Sequence, residues 1–263
     1  MPSFPGPLAA LALLVLGMLT AVLAFVAGSA LHVPPFPLLL LSSLAGTGTA
    51  LLTGRAAAGR SGRRILRLDG HDRRGWAPLL PLLAGAVVVV SELENLFRTV
   101  WPPPASFMET MQEILAPEHP VERALAFVLA GLCAPLLEEL LFRGLILGGL
   151  SNRYGGARGI ALSALLFGVY HLYPWQALPA LALGLLFGWV TWRSGAIGYA
   201  VALHAGNNLL ALALAGLAAD VSGLTQRGPE VVHVPPAALA AGAVLLVWGV
   251  KRFAAVFPRP ANP

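Results

Sequence analysis

The sequence predicts an all-α fold, a polytopic membrane helix bundle of about eight transmembrane helices. Three observations predict it. Hydrophobic residues make up 57% of the chain and charged residues only 11%, with a mean hydropathy of +0.76, which is not the composition of a soluble domain. Apolar segments of spanning length recur at about 8–28, 36–54, 76–98, 121–150, 157–173, 176–193, 195–217 and 236–257. About 20 residues suffice to cross the hydrocarbon core, and in lipid such segments must be helical to satisfy their own backbone groups. Finally, the arginines gather in the connections between the segments.

The run 8–28 ends in Gly28-Ser29-Ala30, a sequence that can mimic a signal-peptidase site. No Lys or Arg precedes it and the run is long for a signal peptide, so residues 1–28 are read as part of a retained helix. The segments at 36–54 and 76–98 carry few polar groups and read as scaffold. Between them, loop 55–75 holds Arg55, Arg60, Arg63, Arg64, Arg67, Arg73 and Arg74. It is a topology determinant, and it can also hold anionic lipid headgroups.

Placing that loop in the cytoplasm also puts Arg153, Arg158, Arg193, Lys251, Arg252 and Arg259 there, while only Arg98, Arg123 and Arg227 face outward. That bias predicts a multi-pass protein with both termini cytoplasmic. It also explains the net charge of +5 and the pI of about 10.1 without a nucleic-acid partner. Arginine outnumbers lysine 16 to 1, and Ala, Gly and Pro are abundant, as in proteins of a GC-rich bacterial genome. The expected location is therefore a bacterial cytoplasmic membrane, with membrane lipid as surroundings.

In the outer connection 99–120, Pro102-Pro103-Pro104 ends the third helix. Ser106 followed by Glu109 fits a capping box. Phe107, Met111, Ile114 and Leu115 then form one stripe and Pro117 closes it, which predicts a short amphipathic helix on the outer interface, either a gate or a connector. In the sixth segment Gly184 and Gly188, and in the seventh Ala202 and Gly206, are small-xxx-small pairs that let backbones approach closely. The lone cysteine, Cys133, excludes an intramolecular disulfide and is expected to be a small buried side chain.

The fourth segment departs from this pattern. Glu138, Glu139 and Arg143 are the only charges between Arg123 and Arg153. Ionisable groups at bilayer depth are costly and mark function. Residues four apart share a helix face, so Glu139 and Arg143 can pair, whereas Glu138, about 100° round the helix, stays free as a general base. The fifth segment offers His171 and the seventh offers His204, Asn207 and Asn208. Counted from the cytoplasmic ends, Glu138, His171 and His204 sit roughly 12–20 Å deep at about 1.5 Å per residue, so they can converge.

These residues, Glu138-Glu139-xxx-Arg143, Phe167-xxx-His171 and His204-xxx-Asn208, resemble the three-motif signature of the CPBP intramembrane protease family. That family includes the CAAX prenyl endopeptidases and bacterial bacteriocin-processing and self-immunity proteins. The resemblance covers roughly residues 121–217. It implies that Glu138 and His171 activate a hydrolytic water, that His204 and Asn208 support the oxyanion, and that Glu139 and Arg143 form a supporting ion pair. It implies an endopeptidase acting on a membrane-associated protein or peptide, and it divides the chain into scaffold helices with the basic loop and interfacial helix (1–120), a catalytic core (121–217) and an outer loop with the last helix (218–263).

Two mechanisms stay open: a metal-free glutamate mechanism, or a divalent metal such as zinc on Glu138, His171 and His204, although the soluble His-Glu-xx-His motif is absent. The competing functions are a non-catalytic scaffold or self-immunity protein of the same fold, and a proton-coupled transporter, which would be expected to show an internal repeat.

Overall fold

The computed structural model describes residues 4–59, 72–216, 221–225 and 230–258. Among them, nine helices follow one another and no strand occurs. They are α1 (Pro7–Ala30), α2 (Pro35–Ala58), α3 (Leu79–Val100), α4 (Ala105–Leu115), α5 (Pro120–Tyr154), α6 (Gly156–Tyr170), α7 (Pro174–Ser194), α8 (Gly198–Gly216) and α9 (Pro236–Val256). Seven of these (α3 counted with its leading turn) are long and apolar enough to cross a bilayer. The chain is a multi-pass integral membrane protein.

The eighth apolar segment, α6, is shorter than 157–173 suggested. It has 15 residues, about 22 Å at 1.5 Å per residue, against a hydrocarbon core of about 30 Å. Pro174 explains the early stop: the residue before a proline is driven out of the helical region, and Tyr173 is extended at φ −84° and ψ 126°. Leu172 completes the reversal at φ 61°. His171 therefore terminates α6 instead of lying within it.

Contacts between the helix ends set α3 and α8 in one direction and α7 and α9 in the other. At one end the Tyr199 hydroxyl donates to the Asp72 carbonyl at 2.6 Å, and Arg193 Nε donates to the Phe257 carbonyl at 2.8 Å. At the other, Trp175 Nε1 donates to the Trp101 carbonyl at 2.6 Å. Of the arginines used for orientation, Arg60, Arg63, Arg64, Arg67, Arg227 and Arg259 lie outside the described residues.

Helix α4 is present where the stripe predicted it, but the capping box is not. The N-cap is Pro104, with no side-chain cap, and Ser106 lies inside the helix. The proline run itself supplies the extended residue from which the helix starts. Phe107 is buried against Tyr173 and Trp175, with ring centroids 5.1 Å apart in both cases, while Glu109 and Glu113 are exposed. Cys133 is half-buried, less enclosed than expected, and free.

Helix α3 is more than an apolar scaffold. Its last turns carry Glu92, Asn95 and Arg98, all buried. Glu92 accepts from His233 Nδ1 and from the Val234 backbone N–H, each at 2.8 Å, and Asn95 Nδ2 donates to the Gly223 carbonyl at 2.8 Å. These bonds strap the segment before α9 onto α3. The sequence hid them because their partners are more than a hundred residues away.

Two apolar cores result. One joins α1, α2, α5, α6 and, through Ala180, α7, and includes Phe142 and Phe167; the other joins α3, α7, α8 and α9 and includes Phe187 and Leu203. The polar residues of α5 and α8 meet between them, beside the Phe167 and Phe187 rings.

Candidate active site

Helix α5 changes its winding twice around the paired glutamates. Residues Leu129–Cys133 and Leu140–Ile146 are π-helical, and Ala134–Glu139 between them is α-helical. A π turn widens the helix and changes which side chains face inward, and such turns gather at functional sites. It also redirects backbone carbonyls, and here neighbouring helices meet them. Asn208 Nδ2 of α8 donates to the Ala130 carbonyl at 3.0 Å, and the Ser163 hydroxyl of α6 donates to the Phe142 carbonyl at 3.1 Å. A periodicity argument assumes uniform winding, so the continuous helix read at 121–150 could not reveal these turns.

Glu139 and Arg143 form the buried pair that their spacing predicted, with Arg143 Nη1 donating to Glu139 Oε1 at 2.9 Å and both side chains fully enclosed. Arg143 also donates from Nη2 to the Gly184 carbonyl at 3.2 Å. Its guanidinium carbon lies 4.3 Å from the centroid of Phe167 and 5.4 Å from that of Phe187. A desolvated cation–π contact is worth about 2 kcal/mol, so the aromatic walls offset part of the cost of burying the charge. Close approach is what allows this: a Cβ on Gly184 would sit 3.2 Å from Ala164 Cα and 3.2 Å from Phe167 Cδ1.

His204 completes the cluster. Its Nδ1–H donates to Glu139 Oε1 at 2.9 Å, because a carboxylate can only accept. Its ring stacks on Phe187, with centroids 5.2 Å apart, and meets Phe167 edge-on at 5.7 Å. The tautomer and the ring plane are thus both held, and Nε2 is turned toward Glu138, 3.9 Å from Oε2. Glu138 takes no part in the Arg143 pair, and its side chain is 14% exposed, half-open where Glu139 is closed. A gap of 3.9 Å is beyond direct hydrogen-bond length but within the reach of a bridging water.

His171 donates from Nδ1 to the Phe167 carbonyl at 2.9 Å and stands edge-on to the Phe167 ring at 4.8 Å. Neutral His171 then keeps Nε2 as a lone-pair acceptor. Phe167 consequently touches His171, His204 and Arg143 together. The sequence-predicted residues of α5 and α8 meet directly, whereas His171 is joined to them through this ring. Asn208 gives one amide N–H to Ala130, and Asn207 Nδ2 donates to Asn208 Oδ1 at 3.4 Å.

A zinc site needs at least three protein donors converging on one point. Among the described residues no three His, Cys, Asp or Glu side chains are so grouped. His204 Nε2 and Glu138 Oε2 face each other at 3.9 Å, with no third such side chain grouped with them. As placed, the described residues do not complete the donor set of a zinc site.

Sequence reasoning missed the supports of this cluster. Phe187 was one aromatic among many in an apolar run. Ser163 looked like an ordinary small helix residue. Thr47 of α2, whose hydroxyl lies 2.8 Å from that of Tyr170, belongs to a helix that carries no motif. Gly184 alone left a trace, as half of a small-xxx-small pair.

Residues 120–210 match a protein-family model described as type II CAAX prenyl endopeptidase Rce1-like. This agrees with the family that the three motifs resemble and supports an intramembrane protease of the CAAX type. No curated protein and no solved structure matches the chain.

Proposed function

We propose that the chain is an intramembrane endopeptidase that cleaves a peptide bond of a membrane-associated protein or peptide with a water activated by Glu138 and His171. The observation that carries this reading is the half-open Glu138 carboxylate 3.9 Å from His204 Nε2, beside a buried Arg143–Glu139–His204 chain that holds the imidazole in place.

In this reading the water sits against Glu138, which takes its proton as the oxygen attacks the scissile carbonyl. His171 Nε2 accepts from the same water and orients it. The oxyanion that forms needs fixed donors. Asn208 keeps a second amide N–H for it. His204 Nε2 donates to it when the ring carries a proton on both nitrogens, since Nδ1–H stays on Glu139. The proton on Glu138 then passes to the leaving amine. Glu139 and Arg143 position the machinery and do not touch substrate.

The abundance of arginine and the cytoplasmic assignment of the basic connections support a bacterial membrane enzyme with both termini inside. The substrates that suit this setting are peptide precursors, or membrane proteins bearing a C-terminal anchor or sorting segment. The test is a comparison of protein termini in membrane and secreted fractions of wild-type and Glu138→Gln strains. A discrete set of termini present only in the wild type supports the reading, and identical sets contradict it.

A further inference from the structure

A cavity of about 980 Å³ opens at the α4 end of the bundle, and neither the motifs nor the family match assign it a role. Its apolar wall is formed by Val90 of α3, Leu183 of α7, and Leu210 and Leu214 of α8. Helix α4 contributes Met108 and Met111 from its inner face. Methionine is an adaptable lining that accommodates varied apolar side chains. At its deep side the cavity is bounded by Asn207, next to Asn208 and three residues from His204, and by Leu183, next to the glycine whose carbonyl holds Arg143. The volume lies at the upper end of the roughly 300–1,000 Å³ typical of ligand sites.

Among the described residues, the charges lining it are mostly carboxylates. The one cation among the described lining residues, Arg98, is buried and paired with Glu94. Glu109, Glu113 and Glu230 also line it, are exposed, and form no ion pair among the described residues. Carboxylates around a low-dielectric wall focus a negative potential into the opening. They repel anionic lipid headgroups and attract a cation, and the apolar wall selects one attached to apolar residues.

We propose that this cavity receives the flank of the polypeptide substrate outside its apolar segment, and that it prefers flanks in which apolar residues adjoin Lys or Arg. The proposal rests on the protease reading above and names the substrate class for it. The chain enters between α3, α4 and α8, places its basic side chains at Glu109, Glu113 and Glu230, and passes Asn207 toward Glu138.

The test uses the full-length protein in nanodiscs and two fluorescent synthetic peptides that share one apolar segment and differ only in a Lys-Arg or a Glu-Glu flank. Binding is read on Glu138→Gln protein, so that no peptide is consumed. The basic peptide is expected to bind about tenfold more tightly, with a preference that shrinks as salt rises. In the additional presence of Glu109→Lys and Glu113→Lys the preference falls to within about twofold or inverts. Leu210→Trp, which fills the cavity, weakens both peptides. Equal binding of the two peptides, a preference that survives charge reversal, or the same preference on empty nanodiscs overturns the proposal. Cleavage by wild-type protein is read separately. Cleavage without flank preference removes this inference and leaves the protease reading, whereas flank-selective binding without cleavage does the reverse.

Discussion

Glu139 binds His204 through Nδ1 at 2.9 Å, and this single contact decides what the other face of the imidazole can do. With Nδ1–H committed to a fully buried carboxylate, Nε2 is the only ring nitrogen left for chemistry, and it points at Glu138. Glu139 is itself held by Arg143 through the same oxygen, Oε1. The motif thus acts as a relay of position: Arg143 fixes Glu139, Glu139 fixes His204, and His204 faces Glu138.

Replacing Glu139 by Gln keeps the shape and removes the charge. The amide can present its N–H₂ to His204, which favours the wrong tautomer, and it removes the carboxylate to which Arg143 is hydrogen-bonded. We expect cleavage to fall by roughly two orders of magnitude or more, in kcat rather than KM, as for loss of an interaction made only in the transition state. Arg143→Ala leaves the Glu139 carboxylate buried and unpaired except for His204. Breaking a buried pair in this way costs about 3–5 kcal/mol, and a thermal melt in detergent should show this as a clear drop in midpoint.

Ser163 tests whether the π turn needs its side-chain partner. The Phe142 carbonyl accepts from the Leu147 N–H and also from Ser163. Ser163→Ala should therefore cost only about 1 kcal/mol. Ser163→Val adds bulk against a packed helix and should cost more. Thermal midpoints of the two variants against wild type give the comparison.

At Gly184 the neighbours of an added Cβ are Ala164 and Phe167, at 3.2 Å. Gly184→Ala requires α6 and α7 to part by a few tenths of an ångström, while Gly184→Val forces a larger separation. Overpacking of this kind costs about 1–3 kcal/mol. Because Phe167 touches Arg143, His171 and His204, activity should decline together with stability across the series Gly, Ala, Val, measured as cleavage rate and melting midpoint.

Outside the membrane, Asp72 caps the turn that leads into α3. The Arg74 guanidinium and the Arg74 backbone N–H bond its carboxylate and hold it below the ordinary carboxylate range. A carboxylate whose folded-state value is depressed stabilises above its unfolded value and loses that contribution as the pH falls through its folded value. The stability difference between wild type and Asp72→Asn should therefore be present at neutral pH, disappear in strong acid, and shrink with added salt because the pair is exposed. Unfolding measured from neutral pH to strong acid checks the sign.

The parts of the molecule legible in the sequence are those set by local rules. Apolar length gave the eight segments, spacing gave the Glu139–Arg143 pair, and rotation about the helix separated Glu138 from it. The failures have a common origin in long-range contacts or in departures from uniform winding. The π turns of α5, the Phe187 stack on His204 and the Glu92 strap to His233 and Val234 all depend on partners distant in sequence. Helix α6 ended early because Pro174 and Leu172 set the turn, where hydropathy alone continued the helix.

The central claim is that Glu138 activates the attacking water. Purified wild-type and Glu138→Gln proteins in nanodiscs, given a substrate taken from the comparison of protein termini, should be followed by mass spectrometry of the products. The account predicts a single new pair of termini with wild type and a rate at least about a thousandfold lower with Glu138→Gln, while helicity and melting midpoint stay close to wild type. Cleavage by Glu138→Gln at a rate near that of the wild type would contradict it.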